Sequence, residues 1–268
     1  MSSNGILLNT EDFLAKLNPE VKLNFFTFKW GDVYGPEYVN RLYKSLKEHC
    51  KKVPFNFTCI TDNSAGIDPE VILLDYNQIG PDSWRGYDQD RIFTREKLCL
   101  MELDIPGTKG WIDLDVLIKG DITGMVSRDF KKPTFILNHW KIKNPHAFTN
   151  FGRGSDCHVN SSFVMWQDGK WLFDYTDKHR EKLFFTYKSL DKYLYYQHWR
   201  KNTLAFWEEG LVDNFNFSNP PGMERKEVKI TLFNTSHIRK LNLNIQAYEL
   251  HETKGQWPWE YWTRYDAT

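Results

Sequence analysis

Two aspartates one residue apart, Asp113 and Asp115, interrupt an otherwise apolar run, Gly110-Trp111-Ile112-Asp113-Leu114-Asp115-Val116-Leu117-Ile118. Read as a strand, which alternates its side chains, the run sends both carboxylates to one side and Leu114 to the other. Uncompensated carboxylates near a core are costly, and like charges repel. A divalent cation shared between them, or with a bound diphosphate, resolves both problems. The plainer reading of the same spacing is a strand end whose acids turn to solvent or pair with Lys or Arg. Asp-x-Asp is common by chance, so the elements around it carry the decision.

Those elements begin with Val21 to Lys29, a Phe-rich run that reads as a buried first strand. Gly31 to Gly35 is a turn-rich loop, and a helix starts at Pro36, a residue favoured in the first helical turn. Val39, Leu42, Tyr43, Leu46 and Cys50 recur along it at helical spacing. Phe55 to Ile60 and Val71 to Leu74 follow as strands. Strand–helix–strand–strand is the opening of a nucleotide-binding α/β sheet. A helix over Phe93 to Glu102 delivers the chain to the Asp113/Asp115 segment. Thr134 to Leu137 and Ser162 to Trp166 read as later strands, Trp171 to Phe184 and Leu190 to Trp199 as helices, and Lys229 to Phe233 as a last strand. No Pro/Gly/Ser-rich linker interrupts residues 1–268, which predicts one unit: a nucleotide-binding half over about 20–120 and an acceptor half over about 121–268.

Composition narrows the partners. Lys plus Arg number 35 and so do Asp plus Glu, so no net field draws the chain to nucleic acid or to a membrane surface. Aromatic residues make up 16%, which predicts a ring-rich core with a few rings left for ligand contact. Cys50, Cys59, Cys99 and Cys157 are too widely spaced for a zinc site or a disulfide framework. The N-terminus lacks the basic region and apolar length of a signal peptide. No apolar run approaches the roughly 20 residues of a membrane helix. The expectation is a soluble, cytoplasmic protein with reduced thiols.

Several segments, taken in order, resemble the GT-A fold glycosyltransferases, and among them the glycogenin-like family 8 and its relatives. Phe25 to Leu46 is similar to their first strand, nucleotide loop and helix. Arg95-Glu96-Lys97-Leu98 stands where relatives place a Lys-Leu pair. Trp111 to Thr123, WIDLDVLIKGDIT, resembles their YLDLDTVIVGDL signature, and His158 to Trp166, HVNSSFVMW, their FNSSVMVW strand. Thr231 to Lys240 stands in the place of a C-terminal metal-ligand histidine. The fold this implies is α/β, of GT-A type: a Rossmann-like nucleotide-binding fold with a mixed central sheet.

The resemblance implies a nucleoside-diphosphate sugar, UDP-linked, held by Mn²⁺ or Mg²⁺, and transfer of its sugar to an acceptor hydroxyl with retention. Such cations take oxygen ligands, completed by phosphates and water. Asp115 is expected as a direct ligand, Asp113 as a ligand to the metal or to the ribose, and His237 as a third ligand. Lys97, with Lys240 or Arg239, would add positive charge at the leaving diphosphate. Thr27, Lys29 and Tyr34 would face the base or ribose, with Asp62 beside them. Asn160 and Ser161 would hold the sugar or line the acceptor side. Asp191 stands near an Asp-Gln pair that approaches the sugar in relatives, but Lys192 replaces the Gln here. The histidine is followed by Ile238-Arg239-Lys240-Leu241-Asn242 where glycogenin-like enzymes carry Gly-x-x-Lys-Pro-Trp.

Other classes fare less well. Phosphatases of the haloacid dehalogenase type need Thr or Val at the fourth position after the first Asp; here it is Leu117, and several elements precede it. A catalytically silent carbohydrate- or nucleotide-sugar-binding protein on the same fold is the stronger alternative, although both carboxylates are kept. The acceptor class stays open between a glycan, a lipid, a protein and a modified nucleobase. Asp156, Asp191, Glu208 and Glu209 are base candidates by type for an inverting reaction.

Overall fold

The computed structural model describes residues 5–31, 34–84, 94–139, 142, 157–187, 189–214 and 228–232. Asn9 caps a short first helix, α1 (Thr10–Lys16), by accepting the Asp12 N–H. Strand β1 (Leu23–Lys29) follows and is buried along its whole length, as its run of phenylalanines predicts. Pro36 opens α2 (Pro36–His49), whose Val39, Leu42 and Leu46 point into the core. Strands β2 (Asn56–Thr61) and β3 (Ile72–Asp75) come next. A one-turn helix, α3 (Glu96–Cys99), leads to β4 (Thr108–Ile112); the helix expected over Phe93–Glu102 is shorter than that, because residues 94, 95 and 100–102, though described, lie outside it.

The second half adds β5 (Val116–Ile118), α4 (Thr123–Val126), β6 (Thr134–Leu137) and β7 (Val159–Trp166). Three helices follow, α5 (Lys170–Lys178), α6 (Arg180–Thr186) and α7 (Leu190–His198). Short strands β8 (Ala205–Phe206), β9 (Val212–Asn214) and β10 (Ile230–Leu232) complete the set. The continuous helix expected over Trp171–Phe184 is broken at His179, whose φ of −114° and ψ of 14° leave the helical well. Asp177 to Lys182 carries no apolar side chain to hold a straight helix on the sheet, so each piece seats its own apolar residues.

The main sheet has seven strands in the order β3-β2-β1-β4-β7-β6-β8. Strands β1 to β4 run parallel, β7 runs antiparallel to both β4 and β6, and β8 is parallel to β6. A small second sheet, β5-β10-β9, flanks it. On one face α2 packs Tyr38, Val39 and Leu42 against Phe25, Cys59 and Leu114. On the other, Phe13, Leu172, Leu183 and Leu194 cover Phe26, Trp111, Val164 and Trp166. Trp111 and Trp166 meet with ring centroids 5.2 Å apart. Gly110 permits the close approach of β4 to β7, since a Cβ there would lie 2.2 Å from the Met165 sulfur and 2.8 Å from the Val164 carbonyl oxygen. All four cysteines are free and buried, as expected for reduced thiols. Among the described residues no helix is long and apolar enough to cross a membrane.

Candidate active site

Because β1, β2 and β4 are parallel, their C-terminal ends lie along one edge of the sheet, and β6 adds its own. The chain leaves β1 for β2 on one side and later returns to β4 on the other. In open α/β sheets ligands bind at that edge, at the strand where the connections part.

Asp113 stands directly after β4. Its N–H donates to the Ser162 carbonyl at 2.8 Å, and its own carbonyl accepts the Val116 N–H at 3.2 Å. Asp113-Leu114-Asp115 is therefore a turn between β4 and β5, and the strand alternation inferred from sequence does not apply to it. Leu114, 4% exposed, pins the turn to the core beside α2, while both acids are half-buried. The Asp113 Oδ1 lies 2.5 Å from the Lys97 Nζ. Asp113 is thus ion-paired with Lys97. Two carboxylates at the head of a turn are the number and type of protein donors that Mg²⁺ accepts alongside substrate phosphates. No group of three His, Cys, Asp or Glu side chains able to hold a metal forms among the described residues. His237, expected as a third ligand, lies outside them, as do Arg239, Lys240 and Asp156.

Strand β7 connects this turn to Asp191. The register between β6 and β7 shifts from Thr134↔Met165 to Ile136↔Asn160, so β7 bulges between Asn160 and Met165. Bulges re-aim side chains beside active sites. The Asn160 Oδ1 accepts the Ser162 N–H at 2.9 Å, holding the bulge closed. The Trp111 Nε1 donates to the Ser161 carbonyl at 2.5 Å. The Ser161 N–H and hydroxyl both donate to one oxygen of Asp191, at 2.9 and 2.7 Å. Asp191 sits in the first turn of α7, whose cap, Ser189, accepts the Lys192 N–H. A carboxylate is favoured at that end by the helix dipole. Asn160 and Asp191 are thus brought to the same edge as Asp113.

At the tip of β1 the expected contacts divide. Thr27 is fully buried and its hydroxyl donates to the Ile112 carbonyl at 2.8 Å, so it ties β1 to β4. Lys29 is the last residue of β1 and pairs in register with Thr61. Gly31 adopts φ +61°, a region that glycine enters without strain, and its N–H donates to the Asp62 Oδ2 at 3.0 Å. That bond folds the loop back over β2. Tyr34 is half-buried, its ring 5.0 Å from Tyr38 in an edge contact. On α3, burial pushes the Glu96 carboxyl up, against the pull of Arg95 and a hydrogen bond from Tyr76.

Three features escape the sequence reading. Trp30, 37% exposed, stacks on Tyr76 at 5.6 Å beside the β1 tip. The Lys97–Asp113 pair joins residues from separate elements. His139, after β6, places its Nδ1 4.0 Å from the Glu209 Oε2, after β8, on the same sheet edge. Glu208, the other base candidate there, is ion-paired with Arg128.

No protein-family model matches the chain, and no curated protein sequence is recognisably similar to it. Solved structures are similar in fold. The galactosyltransferase LgtC in complex with donor and acceptor sugar analogues superposes with a TM-score of 0.52 at 13% identity, over 79% of this chain and 87% of LgtC. The bifunctional glycosyltransferase WbbM gives 0.54 at 11% identity, over 90% of this chain and 53% of that one. The chain has the GT-A glycosyltransferase fold, built on a mixed, seven-stranded central sheet.

Proposed function

We propose that this protein is a metal-dependent glycosyltransferase that moves a sugar from a nucleoside-diphosphate sugar, UDP-linked, to an acceptor hydroxyl. The observation that carries the reading is the turn Asp113–Asp115 at the tip of central strand β4, linked through the β7 bulge to Asp191. Asp115 would hold Mn²⁺ or Mg²⁺ with Asp113, whose second role is to keep Lys97 at the cleft. The ion supplies Lewis acidity to the diphosphate as negative charge develops on it. Lys97, oriented by Asp113, adds a fixed positive charge on the same side. His237 and Lys240 are proposed to complete the diphosphate site from the C-terminal segment.

Asp191 is proposed to face the sugar. Two donors from Ser161 on one of its oxygens fix the carboxylate's direction before substrate arrives, and its negative charge favours an oxocarbenium-like centre. Asn160 lines the sugar or acceptor side, and Tyr34 and Asp62 the base and ribose. Retention follows from the resemblance. A screen of nucleotide sugars for Mn²⁺-dependent hydrolysis tests the reading; turnover of none, or turnover unchanged by EDTA, rejects it. The Lys97–Asp113 ion pair favours a second reading, a catalytically silent binding protein, because it occupies one oxygen of the pair. Metal-dependent binding of a UDP-sugar without any hydrolysis would select that alternative.

A further inference from the structure

The chain's charges balance overall but not locally. Residues 178–201 hold seven Lys or Arg against two Asp or Glu, in a chain with 35 of each kind. Helices α6 and α7 bring them to one side of the molecule. At one end of the pair Tyr187 stacks on Tyr196, and its hydroxyl accepts the Gln197 Nε2 at 2.6 Å. At the other end Tyr175 of α5 meets the rings of His179 and His198 and lies 5.5 Å from the Lys201 Nζ. Lys178, Lys182, Arg200 and Lys201 are all exposed, and among the described residues none of them is ion-paired. Arg180 does pair, with Asp177. Asp191 is turned to Ser161 at the cleft, which leaves Glu181 as the one exposed acid of the stretch.

The same two helices carry Phe185, 78% exposed, and Tyr196, 48% exposed. Phe185 stands three residues from Lys182 on α6, a spacing that puts both on one face of the helix. Neither ring is needed to seat its helix, because Leu183, Phe184, Tyr193 and Leu194 are buried instead. Cations without carboxylates and rings left in water match one kind of surface, negative outside and apolar just beneath. An anionic bilayer has that profile: Lys and Arg meet its headgroup phosphates while Phe and Tyr enter the interface. A nucleic-acid strand is negative too, but it is held in a groove lined by stacking rings. These side chains stand on the outside of two helices.

We propose that the face formed by α6 and the second half of α7 is a docking surface for membranes rich in anionic lipid. Contact is peripheral, through headgroups and a few rings. Asp191 opens the nine-residue helix α7 at the cleft and Arg200 and Lys201 follow its far end, so the docked surface and the sugar-facing acid are one short helix apart.

Co-sedimentation of the full chain with vesicles of phosphatidylcholine, alone or with about a third phosphatidylglycerol, tests it. Wild-type binding should require phosphatidylglycerol and fall as salt rises. Each cation near an anionic surface contributes about fivefold in affinity. Lys178→Gln, Lys182→Gln, Arg200→Gln and Lys201→Gln combined should therefore weaken binding about a hundredfold or more. Phe185→Ser should weaken it about tenfold. Both variants change exposed side chains only, so thermal midpoints, and donor turnover without vesicles, should match the wild type. A wild type that stays in the supernatant, or that binds both kinds of vesicle equally, overturns the assignment. So do folded variants that bind as the wild type does, and so does retention on poly(U) RNA with none on vesicles, which gives the face to nucleic acid. Each of these failures leaves the donor site standing, since hydrolysis without vesicles tests that site separately.

Discussion

Helix α7 handles a titratable group at each end in opposite ways. At its first turn, Asp191 is half-buried at the cleft edge and one of its oxygens accepts two donors from Ser161. At its last turn, His198 is 2% exposed. Its Nε2 lies 2.9 Å from the Tyr193 hydroxyl, which in turn lies 2.7 Å from that of Thr176. Burial, with Lys201 nearby, holds the His198 pKa down to about 4, so the ring is neutral at pH 7. One helix thus pairs a carboxylate held by two donors at the cleft edge with an imidazole kept neutral in packing. Trp171, Tyr175 and Tyr193 surround the imidazole with rings. The carboxylate end is a candidate for chemistry, and the imidazole end is a fold element.

Substitutions at the two ends should separate activity from stability. Asp191→Asn keeps acceptors for Ser161 but removes the charge. Donor turnover should fall about a hundredfold or more, with an unchanged thermal midpoint. At the other end the effect is on folding. A depressed histidine pKa contributes stability that is complete above the unfolded value near 6.5 and is lost as pH falls toward about 4. Denaturant titrations should show a loss of about 3 kcal/mol across that window, and His198→Gln should flatten it. A wild-type curve with no loss between those pH values would break the contrast. Ser161→Ala leaves one backbone donor on Asp191, so turnover should fall about tenfold, the cost of a hydrogen bond to a charged group. Gly31→Ala, in the loop held by Asp62, should cost about 1 kcal/mol of stability from its positive φ alone.

Legibility in the sequence followed how local each cause is. The seven buried residues of β1 and the helical spacing of Val39, Leu42 and Leu46 are local patterns, and both elements stand where they are expected. Asp113 and Asp115 were found by spacing, but their geometry was not. The turn that holds them is anchored to β7 by the Ser162 carbonyl, 49 residues away in sequence, and nothing nearby in the chain announces that partner. Lys97 was expected at the diphosphate, and its pairing with Asp113 depends on α3 and β4 meeting in space. Thr27 looks like a polar residue at a strand end, yet the adjacent Ile112 carbonyl claims its hydroxyl. Strands β8 and β9 are two and three residues long, too short to show a period. The break at His179 depends on how α5 and α6 each seat on the sheet, which periodicity alone does not register.

The central claim is that the Asp113–Asp115 turn holds a donor nucleotide through a divalent cation, and Asp115→Ala probes it most directly. Hydrolysis of the best nucleotide sugar would be followed in Mn²⁺ and in excess EDTA, for the wild type and the variant, with thermal midpoints recorded alongside. The account expects wild-type turnover that EDTA abolishes, and a folded variant at least about a thousandfold slower in Mn²⁺. A folded Asp115→Ala variant that turns the donor over at the wild-type rate, or a wild type indifferent to EDTA, would contradict it.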